Sequence, residues 1–329
     1  AVGTDALAAN TTASNNTAVG MDALTAITTG ANNTAVGLNA GDALIDADYN
    51  VAVGEGALGA DTYGSNSTAI GRLALAQQNF TSATNSENTA VGYIAGYSVT
   101  TGTNNTLIGM ASGDAITTGG TNTAVGTFSL SGNTTAGNNT AVGYQALLAN
   151  TTGYNNLALG ANALDANTTA NNNVAVGPNS LTANTIGAQN VAVGTACMSA
   201  NTTGSDNIAM GVSALDANTT GSNNTALGRQ ALQANTTASG NVAVGLSALR
   251  LNTTGASNVA FGQTSLTNCT TGANNTGIGH QSLNALTTAT DCTTLGLNAG
   301  LAITTGISNT LIGQGAGQDI TDGVYNTCL

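Results

Sequence analysis

Single apolar residues return along this chain at a fixed interval, each followed by glycine wherever the chain continues. They are Val2, Val19, Val36, Val53 and Ile70, then Val91, Ile108, Val125, Val142, Leu159, Val176, Val193, Met210, Leu227, Val244, Phe261, Ile278, Leu295, Ile312 and Leu329. Every step is 17 residues except the 21 between Ile70 and Val91. With this residue as position 0, the unit reads N-[TV]-A-[VIL]-G-x-x-A-L-x-A-N-T-T-G-x-N, as in Asn139 to Asn155. Such a period is too short for a helix-pair repeat and too long for one strand, and it fits one solenoid coil of short strands joined by turns. The predicted fold is therefore all-β: a parallel β-solenoid of about twenty coils, forming a single repetitive domain over residues 1–329. The long step places a four-residue insertion within Asn79-Phe80-Thr81-Ser82-Ala83-Thr84-Asn85-Ser86-Glu87, expected to bulge from the stack as a loop.

Within a coil, Thr140 and Val142 share one face of a strand and Asn139 and Ala141 the other; the apolar face is expected to point inward. The glycine at position 1 has no exception, as at Gly20, Gly37, Gly54, Gly71, Gly92, Gly109, Gly126 and Gly143, which predicts a turn needing positive φ or a backbone approach that a Cβ would block. A second turn is expected near Thr151-Thr152-Gly153. Positions 5 and 8 compensate each other. Position 5 is Leu or Met except where it is Gly, at Gly41, Gly96, Gly113, Gly300 and Gly317, and in those coils position 8 becomes Leu44, Val99, Ile116, Ile303 and Ile320. Losing a buried Leu removes about 1.5–3 kcal/mol of apolar burial, so a large side chain arriving three residues later implies that both positions serve one core layer. The asparagines at position 8, Asn133, Asn150, Asn167, Asn184, Asn201, Asn218, Asn235 and Asn252, are then expected to form a buried ladder of stacked amides.

Composition narrows the function. Charged residues make up 5% of the chain and aromatics 3%, with no Trp and one Pro, Pro178, so no wide core can be filled. The recurrence of β-branched residues in fixed columns argues against disorder. Net charge is −12, and Arg72, Arg229 and Arg250 are the only basic side chains besides His280, so nucleic acid is not an expected partner. No run of about 20 apolar residues could span a bilayer, and no signal peptide is visible at the amino end. Neither end carries a polar cap, which suggests a longer chain or head-to-tail stacking of protomers. The cysteines at 197, 269, 292 and 328 replace residues of different columns, and read as small buried substitutes ahead of a Cys269–Cys292 bridge.

The phrase Asn-Asn-Thr-Ala-Val-Gly, with its variants Asn172-Asn173-Val174-Ala175-Val176-Gly177 and Asp206-Asn207-Ile208-Ala209-Met210-Gly211, resembles the repeats of trimeric autotransporter adhesin heads. The stretch Asn139-Thr140-Ala141-Val142-Gly143-Tyr144-Gln145-Ala146-Leu147 is similar to the repeats of phage tail-fibre-like and bacterial surface proteins. The resemblance covers nearly the whole chain. It implies a left-handed β-roll assembled as a homotrimer, although the adhesin coils are shorter than 17 residues.

Candidate chemistry is sparse. One histidine, His280, falls in a variable column and reads as solvated. The only regular carboxylates, Asp114, Asp165 and Asp216, recur every third coil, about 15 Å apart at strand spacing, too far to share a proton or metal ion. No enzyme activity, cofactor or metal is therefore expected. Asn-Thr-Thr matches the N-glycosylation acceptor pattern, but a buried Asn cannot carry a glycan. Phe80, Tyr93 and Tyr97 gather in sequence around the insertion and are candidate glycan contacts. The expected role is an extracellular fibre segment, at a cell surface or on a virion: a tail-fibre shaft, filament or adhesin head that associates with itself as a homotrimer or filament and meets cell-surface glycans. Stacked at about 4.8 Å per coil, it would form a rod of about 95 Å. The alternative is an ice-binding or glycan-binding solenoid presenting its Thr columns.

Overall fold

The computed structural model describes residues 1–329 and contains no helix. It is a parallel β-solenoid with the 17-residue repeat, and two compact units carry it, residues 1–169 and 170–329. In the first unit, nine three-residue strands from Thr17–Val19 to Leu157–Leu159 stack in parallel, each residue paired with its equivalent in the next coil, as Ala141 is with Ala158. In the second, ten strands from Val174–Val176 to Thr327–Cys328 do the same. Only positions −2 to 0 are extended. The rest of the coil is a chain of tight turns, Ala146 N–H to Gly143 O and Asn150 N–H to Leu147 O, alternating with inter-coil bonds such as Leu147 N–H to Ala163 O and Ala149 N–H to Asp165 O. Backbone donors are thus satisfied along the stack even where no strand forms.

The strand face that points inward is the one carrying Asn139 and Ala141, which are fully buried; Thr140 and Val142 face outward. This corrects the expectation from hydrophobicity, and the reason is width. The coil is too thin to hold a Val opposite a Leu, so a methyl group at position −1 faces the Leu at position 5. Where position −1 is enlarged to Leu107 or Leu311, position 5 of the same coil is Gly113 or Gly317, and a Cβ there would come within 2.7 Å of the leucine's Cδ atoms.

The compensation between positions 5 and 8 has the same origin. Leu44, Val99, Ile116 and Ile303 are fully buried, and Ile320 half-buried. A Cβ on Gly41 would stand 3.0 Å from Leu44 Cδ1, and one on Gly113 2.9 Å from Ile116 Cδ1, so each aliphatic side chain occupies the space that its own coil's missing Leu leaves. Position 5 is left-handed in every coil, φ +52° at Leu147 and +57° at Gly41. Leucine there bears about 1–2 kcal/mol of backbone strain, offset by its burial; glycine is free of that strain and leaves the core to position 8.

Gly143 satisfies both readings of its column, with φ +137° and a virtual Cβ 2.6 Å from the Gly160 carbonyl. At the insertion, Thr81, Ser82 and Ala83 bulge into solvent as expected, and Thr84–Asn85 rejoins the stack by pairing in parallel with Gly64–Ser65.

Candidate functional site

The predicted amide ladder is present. In the first unit Asn150 Nδ2 donates to Asn133 Oδ1 and Asn167 Nδ2 to Asn150 Oδ1, and in the second Asn201, Asn218, Asn235 and Asn252 each donate to the amide one coil earlier, beginning at Asn184, all at 2.8–2.9 Å. All eight are fully buried, so none can carry a glycan. The same acceptor pattern at Asn138-Asn139-Thr140, by contrast, opens on an exposed residue.

A second ladder, at position −3, was missed by sequence reasoning. Asn139 Oδ1 accepts the backbone N–H of Asn156, and Asn139 Nδ2 donates to Gly153 O, the carbonyl that also takes Asn150 Nδ2. Both lone pairs of that carbonyl are used, which ties the two ladders at one turn. The signal lay in the sequence, because position −3 is Asn in every internal coil except those of Ser67 and Cys292.

Around the insertion the ladder gives way to a buried cluster. Asp61 takes position 8, and its carboxylate accepts from Gln78 Nε2 at 2.6 Å and from the backbone N–H groups of Gly64 and Phe80; Gln78 Oε1 in turn accepts from Asn88 Nδ2. Burial pushes the Asp61 carboxyl above its ordinary range, and Gln78 and the backbone donors oppose that only in part.

The three aromatics do not converge. Phe80 is 6% exposed and packs inside, which removes it as a glycan contact: the chain turns inward there so that Asp61 can take the Phe80 N–H. Tyr93 lies outward under Arg72, 5.8 Å from guanidinium to ring centroid, and Arg72 pairs with Glu55. Tyr97 alone borders an open hollow of about 630 Å³ in the first unit. Gly56 and Gly59, at positions 3 and 6, form its floor; Asn39 and Asp42 stand on one side, Leu73, Gln77 and Tyr97 on the other. Burial raises the Asp42 pKa, its own backbone amide opposes that, and Asp22 raises it further.

The cysteines are all free, and the three at 197, 269 and 292 are buried. Burial pushes the thiols of Cys197 and Cys269 up to about 12. Cys269 takes the place of a ladder amide, its Sγ 3.4 Å from Gly272 O. His280 is exposed, and no group of three or more His, Cys, Asp or Glu side chains is placed to hold a metal ion. No helix is long and apolar enough to cross a membrane.

Two outward surfaces complete the picture in each unit. Position 0 projects outward from the strand and is apolar in every coil, exposed at Val19 and Val36 in the first unit and at Met210 and Phe261 in the second, and forms an apolar column; beside it position 2 is mixed, with Met21, Leu38, Val212 and Leu246 but also Glu55, Arg72, Arg229 and Gln263. At the opposite turn, position 9 hydroxyls are committed, as Thr219 Oγ1 donates to Thr236 O. Position 10 presents an exposed row at Thr203, Thr220, Thr237, Thr254, Thr271, Thr288 and Thr305. Neither a protein-family model nor a curated protein matches the chain.

Proposed function

We propose that this chain is a structural, adhesive fibre segment acting outside a cell or on a virion, and that its copies assemble side by side through the outward apolar column. The observation that carries the reading is the side chain at position 0: Val36 is 37% exposed, Met210 46% and Phe261 57%, on the face of a regular stack whose interior is already full. A stable interface takes roughly 800 Å² per partner, so many coils in register have to contribute to it. A second copy is the occupant that matches the patch in both repeat and chemistry, because its own column carries the same spacing. The placement outside a cell rests on the resemblance to adhesin heads and tail fibres, which also favours three copies.

The competing reading, an ice-binding or glycan-binding Thr face, has less support. The position 9 hydroxyls are spent on neighbouring carbonyls, and a single row at position 10 is left to face a ligand.

Sedimentation velocity tests the assembly. The chain is expected to sediment as an integer multiple of its 31.8 kDa mass, and the double variant Met210→Glu/Phe261→Glu as a folded monomer. A wild-type chain that stays monomeric at tens of micromolar would sink this reading.

A further inference from the structure

We propose that the hollow beside the insertion is a binding site for a short neutral saccharide. A site for a single ligand molecule can be built where the repeat is locally broken, and this is where the chain departs most from its repeat. Positions 3 and 6 carry side chains in nearly every coil, and the coil of Gly56 and Gly59 alone has glycine at both. Two missing side chains open the floor, and the next coils build the walls.

The wall chemistry suits a sugar. Asp42 leans over the floor, its Oδ1 3.3 Å from where a Cβ on Gly59 would stand, and it offers a carboxylate to a pair of sugar hydroxyls. Asn39 and Gln77 add amides that both donate and accept, and neither side chain makes a hydrogen bond within the chain. Tyr97 gives an aromatic surface against which the C–H face of a pyranose can pack. A volume near 630 Å³ admits about two to three sugar rings. Charge selects among sugars: with Asp22 and Asp42 on this side and a net charge of −12, uronic and sialic acids are repelled, and neutral hexoses and N-acetylhexosamines are not. Binding at this hollow does not depend on the proposed assembly.

Saturation-transfer difference NMR on the full chain, with lactose, cellobiose, maltose, mannobiose and chitobiose as probes, tests the site. At least one is expected to show transfer and to titrate in the millimolar range. The decisive control is Gly56→Asn/Gly59→Leu, which fills the floor with residues the same columns already carry at Asn39 and Asn162 and at Leu148 and Leu301. Position 3 is left-handed in those Asn coils as it is at Gly56, and a Cβ on Gly56 meets only the mobile end of Leu73, 2.9 Å from Cδ2, so the fold is expected to adjust to the change, which circular dichroism verifies. Binding is expected to weaken at least about tenfold in the filled variant and in Tyr97→Ala. Absence of transfer from all five sugars, or equal binding by the wild-type and filled chains, overturns the proposal. Repeating the titration on Met210→Glu/Phe261→Glu separates it from the assembly, since sugar binding there is expected unchanged.

Discussion

At the scale of single residues, glycine has two different meanings in this coil. Position 1 needs a φ near +135° and lies under the next coil's backbone, so no side chain fits at Gly245, whose Cβ would approach Gly262 O to 2.6 Å. Position 11 is also crowded at Gly255, yet its column already accepts alanine, at Ala47, Ala136, Ala238 and Ala289. Both substitutions have to displace the next coil's backbone, but only Gly245 also needs a left-handed φ, so Gly245→Ala is expected to lower stability by more than about 2 kcal/mol and Gly255→Ala by less, in chemical denaturation followed by circular dichroism. Equal effects would show that crowding alone governs both columns. Asp61 gives a second residue-scale prediction. Its folded pKa is raised, so folding takes up a proton; the stability this confers is fully present below the unfolded value near 4 and is lost as pH rises through the folded pKa. Unfolding midpoints are expected to rise as pH falls through the folded pKa toward the unfolded value near 4, and Asp61→Asn to flatten that rise.

At the scale of the coil and its ladders, position 8 shows why like stacks on like. In the second unit Asn201, Asn218, Asn235 and Asn252 each donate to the coil before, so the last Oδ1 has no donor; that atom is Asn252 Oδ1, which meets Cys269 in the next coil and has no hydrogen-bond partner. An orphaned buried acceptor costs about 1–3 kcal/mol once per run, which favours one long run over several short ones. The sequence follows this, with amides from Asn133 to Asn252 and aliphatic side chains gathered at Val99 and Ile116 and again at Leu286, Ile303 and Ile320. Moving the aliphatic side chain from position 5 to position 8 should then depend on location. Leu266→Gly/Cys269→Ile, beside the aliphatic run, is expected to retain about 2 kcal/mol more stability than Leu147→Gly/Asn150→Ile, which severs the ladder between Asn133 and Asn167. If the two double variants unfold together, the ladder is not a cooperative element.

At the scale of the whole molecule, in the assembly we propose, a net charge of −12 sets the copies against each other while the apolar column draws them together. Salt screens the first and leaves the second, so association is expected to tighten between low and physiological ionic strength, read by sedimentation. Weakening with salt would point to charged contacts instead. Much of this molecule was legible in the sequence: the period, the glycine column, the exchange between positions 5 and 8 and the burial of Asn150 are all pattern. What escaped was set by distance. Hydrophobicity alone places Val142 inside and Ala141 outside, and only the thinness of the coil reverses them. The position −3 ladder went unread for the same reason, since Asn139 shares its face with Ala141 and not with Val142. The hollow escaped because Gly56, Gly59, Asp42 and Tyr97 are apart in sequence and become neighbours only when four coils are stacked.

The orphaned acceptor at Asn252 belongs to the run and not to any coil within it. Adding or deleting a whole repeat inside the run leaves every other amide paired and the number of unsatisfied atoms the same. A change in length by whole 17-residue repeats inside the run therefore adds no unsatisfied amide. The stack is in that sense graduated like a ruler, and its length can change by one mark at a time.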